Sequence, residues 1–189
     1  MKHVPRILMA VGVAALLGLF IFPMWQITLI APQYPDGVTM YVYINKLGGE
    51  NPSVIQNINI LNHYVGMKYI EPDAIPELKY FPFIILAMAA LGLATILINK
   101  PYAFWIWAGL MVVLAIAGMY DFYLWEYDYG HNLSPKAPIK IPGASFQPPL
   151  IGTKEIINFT ATSLPHLGGY LAGSSILLAI TAGWIKRKF

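Results

Sequence analysis

Four long stretches of the sequence carry no charged residue, and this feature constrains the fold more than any other. They run from residue 7 to 35, from 80 to 99, from 101 to 120 and from 156 to 185. Each stretch can supply the roughly 20 apolar residues that cross a bilayer core as a helix. Backbone groups in lipid must be bonded within their own segment, which helices achieve. The sequence therefore predicts an all-α membrane protein with four transmembrane helices.

The apolar runs also set the expected boundaries within a single integral membrane domain, 1–189. We expect spans at about 7–25, 81–98, 102–120 and 167–185, and two long extracytoplasmic loops, about 26–80 and 121–166, that together form a cap. Only 11% of the 189 residues are charged and 57% are hydrophobic. Since soluble domains carry about 25% charged residues, this composition favours a membrane protein.

The distribution of charge predicts the orientation. Six basic residues and no acid flank one set of span ends: Lys2, Arg6, Lys100, Lys186, Arg187 and Lys188. All nine acids lie in the two long loops. Lys and Arg concentrate on the cytoplasmic side of membrane proteins. We therefore expect a multi-pass protein of the bacterial inner membrane with both termini in the cytoplasm.

The charge distribution and the composition also exclude several classes of partner and of chemistry. No basic patch favours nucleic acid, so the expected partners are the lipid bilayer and a periplasmic or membrane-anchored protein. The chain has no cysteine, which excludes thiolate metal sites and cysteine nucleophiles. No ionisable residue lies deep in an expected span, which disfavours a transporter or a quinone-binding subunit. No Gly-x-Ser-x-Gly motif is present. The sequence predicts a non-enzymatic protein whose function lies in the loops.

The first loop contains a predicted amphipathic helix near residues 52–72. Its apolar stripe consists of Ile55, Ile58, Leu61 and Val65. His63 and Met67, one turn apart on a second stripe, form an imidazole and thioether pair that suits Cu(I). Alternatively, the helix lies on the bilayer surface and Met67 covers apolar groups. Two ligands do not complete a metal site, so a third would come from elsewhere.

The second loop opens with "DFYLWEYDYGHNL", residues 121–133, in which aromatic and acidic residues alternate. In an extended chain, the aromatic Trp125, Tyr127 and Tyr129 would face away from the acidic Glu126 and Asp128. The aromatic face is then either the underside of a self-packed cap or a docking face for a partner, since Tyr and Trp are enriched in interfaces. Further along, we expect a short helix to open at Thr153.

We expect this segment to fold back onto the apolar stripe of the first loop. The acids draw the backbone into water, while the rings still need an apolar surface. His131 would then come near His63 and Met67 and complete a three-ligand copper site, with Asp128 as a supporting partner.

Two stretches of the sequence carry a resemblance to a known family. "VIQNINILNHYVGMKYIEPDAIPELKYFPF" (54–83) and "FYLWEYDYGHNLSPKAPIKIPGASFQPPLIG" (122–152) resemble the small four-span membrane protein encoded in some nitrous-oxide-reductase (nos) gene clusters. The resemblance covers about half of the chain. It implies an accessory protein that docks or helps mature a periplasmic copper enzyme, acts in its electron supply, or anchors it. The alternative is a purely structural subunit of a membrane respiratory complex, without a ligand of its own.

Overall fold

The computed structural model describes residues 3–140, 143 and 145–188. Helices account for 58% of the chain and strands for 17%. The strands form one five-stranded antiparallel sheet. The fold is therefore mixed α and β, and the expectation of an all-α protein is wrong because both long loops contain strands.

The secondary structure follows the chain in this order. The elements are α1 (Val4–Leu17, continued by a 3₁₀ turn Gly18–Phe20), β1 (Trp25–Ala31), β2 (Tyr34–Val42), β3 (Leu47–Gly49), α2 (Val54–Val65), a 3₁₀ turn (Pro72–Ala74), α3 (Glu77–Ile98), α4 (Pro101–His131), β4 (Gly152–Ile156), β5 (Phe159–Pro165) and α5 (Leu167–Lys188).

Among the described residues, three helices are long and apolar enough to cross a membrane: α3, α4 and α5. Their length and composition indicate a membrane protein. The expectation of four spans is wrong, because the first helical segment ends at Phe20 and is shorter. The expected span 7–25 extends beyond the end of the helical segment. Pro23 disfavours a continued helix, because proline lacks a backbone N–H, and the chain enters β1 at Trp25.

The helix α1 nevertheless packs into the same bundle as α3 and α5. Gly12 of α1 lies so close to α5 that a Cβ there would come within 3.3 Å of the Ser175 carbonyl oxygen. The bundle core includes buried Met9, Leu16 and Trp107. The Trp107 indole N–H donates to the Met88 carbonyl at 2.8 Å, which joins α4 to α3.

The sheet has the strand order β3-β2-β1-β5-β4. On the central strand β1, Ile27, Leu29 and Ala31 are buried, while the intervening residues are less buried. This period of two is typical of a sheet with one face on a core. The Trp25 indole donates to the Ser163 hydroxyl at 2.7 Å and fixes the pairing of β1 with β5.

The helix expected at Thr153 is a β-hairpin instead. Thr153 pairs with Thr162, and Ile156 pairs with Phe159 across a two-residue turn. Ile157, the first turn residue, has φ 59°. Such a left-handed conformation is typical of the tight turns that match the twist of two paired strands.

The helix α4 joins the bundle to the sheet. Its 31 residues extend about 46 Å at 1.5 Å per residue, well beyond a bilayer core of about 30 Å. Beyond Asp121, its side chains Phe122, Trp125 and Tyr129 pack on the second hydrophobic core, formed by the sheet and α2. We call this second part of the fold the sheet region. It consists of β1–β5, α2, the part of α4 beyond Asp121, and the non-helical segments that adjoin them.

Candidate ligand-binding cavity

An apolar cavity of about 330 Å³ lies inside the sheet region, between the sheet, α2 and the end of α4. This volume is at the lower end of the range for small-molecule sites. The side chains that line it come from β1 (Ile27, Leu29, Ala31), β2 (Met40), α2 (Ile58, Leu61, Asn62, Tyr64, Val65), α4 (Trp125, Glu126, Tyr129) and β5 (Phe159), and from connecting residues (Gln33, Met67, Ile70, Ile139, Phe146, Pro148, Asn158).

Among the described residues, Glu126 is the one carboxylic acid in this lining, and it is fully buried. Neither of its carboxyl oxygens has a hydrogen-bond partner among the described residues. Burial without a compensating charge raises the pKa of Glu126 to about 8. The carboxyl group is therefore largely protonated at neutral pH. An unbonded buried carboxyl is costly, and such groups concentrate at functional sites.

The helical conformation of α4 places Glu126 in the interior. Phe122, Trp125 and Tyr129 follow the spacing of one helix face, and Glu126 lies among them. The segment is helical, so the aromatic and acidic faces considered for an extended chain do not form. The predicted contact between this segment and the first loop is present, but a helix makes it.

Gly130 allows the connecting segment to close over the cavity. A Cβ at this position would lie 2.4 Å from both the backbone nitrogen and the Cα of Gln147. The Phe146 backbone N–H donates to the Gly130 carbonyl at 3.0 Å. Only glycine permits so close an approach of two backbones, and it positions Phe146 in the cavity wall.

Aromatic rings form much of that wall. The rings of Trp125 and Tyr129 are 4.3 Å apart, and those of Phe146 and Phe159 stack at 6.2 Å. The Tyr129 hydroxyl donates to the Tyr69 carbonyl, so the hydroxyl itself is already bonded. The cavity thus combines π faces with one carboxyl group that bonds to no residue the structure describes.

Two asparagines of α2 hold the segment that closes the other side. The Asn59 side chain accepts from the Ile70 backbone N–H at 2.7 Å and donates to the Ile70 carbonyl at 3.0 Å. Buried Asn62 donates to the Lys68 carbonyl. Gly66 ends α2 with φ 82°, a left-handed conformation that glycine adopts readily. These contacts turn the chain back along α2 and place Ile70 in the core.

Asp128 faces the exterior on the same helix. Its carboxylate pairs with the Lys68 ammonium at 2.5 Å, and both side chains are about half exposed, at 41% and 51%. Hydrogen bonds from Lys68 and from the Asn132 amide lower the pKa of Asp128.

Next to Asp128, three exposed rings form a ladder along α4, one turn apart: Tyr123, Tyr127 and His131. The Tyr127 and His131 rings are stacked at 4.0 Å. We call these three residues the aromatic ladder.

The three candidate copper ligands have separate surroundings. Met67 lies beyond the end of α2 and lines the cavity, so it does not continue the helical stripe of His63. His63 is exposed and bonded through Nδ1 to the Tyr69 hydroxyl at 3.2 Å. His131 is exposed and bonded through Nδ1 to the Tyr127 carbonyl. Among the described residues, no group of three or more His, Cys, Asp or Glu is suited to a metal. Copper binding by His63, Met67 and His131 stays a prediction.

Two sequence comparisons identified no relative of the chain. No protein-family model matches the chain, and a comparison with curated protein sequences found no match. The resemblance to the nos-cluster membrane protein thus rests on its two quoted stretches. These stretches contact each other in the fold, since Lys68 and Asp128 belong one to each.

Proposed function

We propose that this protein is a non-enzymatic accessory protein of the bacterial inner membrane. Its three long apolar helices anchor the sheet region on the periplasmic side, with the turn at Lys100 and the C-terminus in the cytoplasm. There the sheet region docks a periplasmic or membrane-anchored enzyme, which the resemblance suggests is the copper enzyme of nitrous oxide reduction.

One observation carries this proposal: α4 runs without a break from the apolar bundle into the sheet region and presents the aromatic ladder there. Tyr127 is 46% exposed, and it lies about 10 Å along the helix axis beyond Tyr120, the last residue of the charge-free run. Tyr is enriched in protein interfaces because its ring is apolar and its hydroxyl tolerates water. A rigid helix that projects such a ladder suits a docking surface.

The orientation is tested by reporter fusions. Fusions after residues 45 and 140 are expected to be active only on the periplasmic side, and a fusion after Lys188 only in the cytoplasm. The reason is that basic residues and no acids flank the bundle at Lys100 and at the C-terminus. Activity of the residue-45 fusion in the cytoplasm would place the sheet region on the wrong side for a periplasmic partner.

The docking surface is tested by photo-crosslinking in living cells. A photoreactive side chain at Tyr127 is expected to give an adduct with the periplasmic copper enzyme. The same side chain at Ile157 serves as control, because Ile157 is similarly exposed, at 58%, in the β4–β5 turn. Equal adducts from both positions would contradict a specific dock. An adduct only with subunits of a respiratory complex would favour the purely structural alternative.

A further inference from the structure

We infer that the cavity in the sheet region binds a small hydrophobic amine, held as an alkylammonium ion whose nitrogen pairs with Glu126. This site is independent of the docking surface, because the aromatic ladder lies on the exposed side of α4 and Glu126 lies on the buried side. Neither function requires the other.

The orphaned carboxyl group is the first reason. Its two oxygens offer acceptor sites that no described residue fills. The described lining contains no lysine, arginine or histidine. Once ionised, a buried carboxyl group needs a cationic or strongly donating partner, which the described lining does not contain. An ammonium group supplies both the charge and the N–H donors.

The walls are the second reason. Trp125 and Tyr129 stand beside Glu126 on α4, and Phe146 and Phe159 close the cavity on the side of the sheet. Aromatic faces carry partial negative charge and attract cations, and aromatic cages are a recurrent means of binding ammonium groups. Ile58, Met40 and Leu29 supply an apolar surface for the hydrocarbon part of the ligand.

The size and the opening define the class of ligand. A cavity of about 330 Å³ accommodates a molecule of the size of an arylalkylamine, at the lower end of small-molecule sites. Tyr64 and Ile139 belong to the lining and are each 46% exposed. The Ile139 backbone N–H donates to the Tyr64 carbonyl at 2.9 Å. The cavity therefore reaches the surface beside this pair.

Binding is coupled to proton release. Without ligand, Glu126 is protonated at neutral pH; to pair with a cation it must give its proton to water, while the amine keeps its own N–H groups. The other titratable groups in the lining are the phenols of Tyr64 on α2 and Tyr129 on α4. The strands and the connecting residues contribute only uncharged side chains to the lining. Well below pH 8, one proton is thus released for each amine bound.

The test uses the full-length protein in lipid nanodiscs and two matched probes, 2-phenylethylamine and 2-phenylethanol, with affinity measured by calorimetry. We expect the amine to bind at least about tenfold more tightly than the alcohol at pH 8. Its affinity should rise about tenfold from pH 6 to pH 7 and less steeply towards pH 8, where Glu126 is about half ionised without ligand. The affinity of the alcohol should change little over the same range.

Two variants locate the effect. Glu126→Gln keeps the size of the side chain and removes the charge, and we expect it to weaken amine binding at least about tenfold while alcohol binding changes less than about threefold. Glu155→Gln, in the exposed part of β4, is the control and should bind both probes as the wild type does. Equal binding of amine and alcohol by the wild type, or amine binding independent of pH, would overturn the inference even if Glu126→Gln failed to fold.

Discussion

Glu126 and Asp128 are separated by one residue on α4, yet their carboxyl groups lie in opposite surroundings. Two residues of a helix turn the side chains by about 200°, which directs Glu126 into the cavity and Asp128 toward the Lys68 ammonium. Burial raises the pKa of Glu126 to about 8, whereas two hydrogen bonds lower that of Asp128. One short segment therefore supplies a neutral interior acid and a charged exterior contact.

The stability of the protein is expected to fall as the pH rises from about 5 to about 8. In the folded protein Glu126 keeps its proton up to about pH 8, whereas in an unfolded chain a glutamate has a pKa of about 4.5. Between these values the folded state binds more protons, so the free energy of unfolding decreases with pH, by at most about 1.4 kcal/mol per unit. Thermal unfolding in nanodiscs at a series of pH values measures this slope.

The matched variant for this slope is Glu126→Gln. Its side chain cannot ionise, so the melting temperature should depend less on pH in this window and exceed that of the wild type at pH 9. An unchanged slope in the variant would mean that another group causes the pH dependence.

Gly130→Ala is expected to destabilise the sheet region by about 1–3 kcal/mol, because the added methyl group meets the backbone of Gln147. Gly109→Ala on the same helix is the control, since nothing lies within 4 Å of a Cβ there. Alanine is the better helix former, so the control should be neutral or stabilising. Thermal unfolding compares the two. Equal stability of both variants would contradict the close packing of Gly130 on Gln147.

Asn59→Ala is expected to cost more stability than Asp128→Asn. The first removes two hydrogen bonds to the Ile70 backbone and leaves its N–H and carbonyl without these partners. This loss should lower the free energy of unfolding by about 1–3 kcal/mol. The second removes an exposed ion pair with Lys68, which contributes at most about 1 kcal/mol. Denaturant titration of both variants ranks them. The reverse order would show that the ion pair holds the 66–70 segment.

Met67→Ala and His63→Ala separate packing from metal binding. We expect Met67→Ala to lower thermal stability, because Met67 packs on the second core, and His63→Ala to leave it unchanged.

An anaerobic Cu(I) titration against a competing chelator then tests the copper prediction. If His63, Met67 and His131 bind the metal together, each alanine variant weakens the affinity. Unchanged affinity in Met67→Ala, His63→Ala and His131→Ala would remove these residues as ligands.

The sequence predicted the helical parts that repeat one pattern over several turns. The charge-free runs gave α3, most of α4 and α5, and the spacing of Ile55, Ile58, Leu61 and Val65 gave α2, whose apolar stripe packs on the second core. Apolar periodicity determines such elements because each buries one face by itself.

The strands were missed because their pairing is not local. The apolar residues of β1, Trp25–Ala31, belong to the same charge-free stretch as most of α1. This segment is a strand because it pairs with β2 and β5, which are distant in the sequence or follow a turn. Glu126 was missed for a related reason. Its neighbours alternate between aromatic and acidic, but the spacing of Phe122, Trp125 and Tyr129 fits a helix face that includes Glu126. The helical spacing of these three aromatic residues, applied to the sequence, predicts that Glu126 lies on the buried face of the helix.

Infrared difference spectroscopy of Glu126 tests the central claim most directly, namely that α4 places in an apolar cavity a carboxyl group that no described residue bonds. The spectrum of the wild type minus that of Glu126→Gln isolates the band of this one carboxyl group. The structure predicts a protonated carboxylic acid at pH 7 that ionises with a midpoint near pH 8. A carboxylate band already complete at pH 6 would show that Glu126 is solvated or paired, and would contradict the claim.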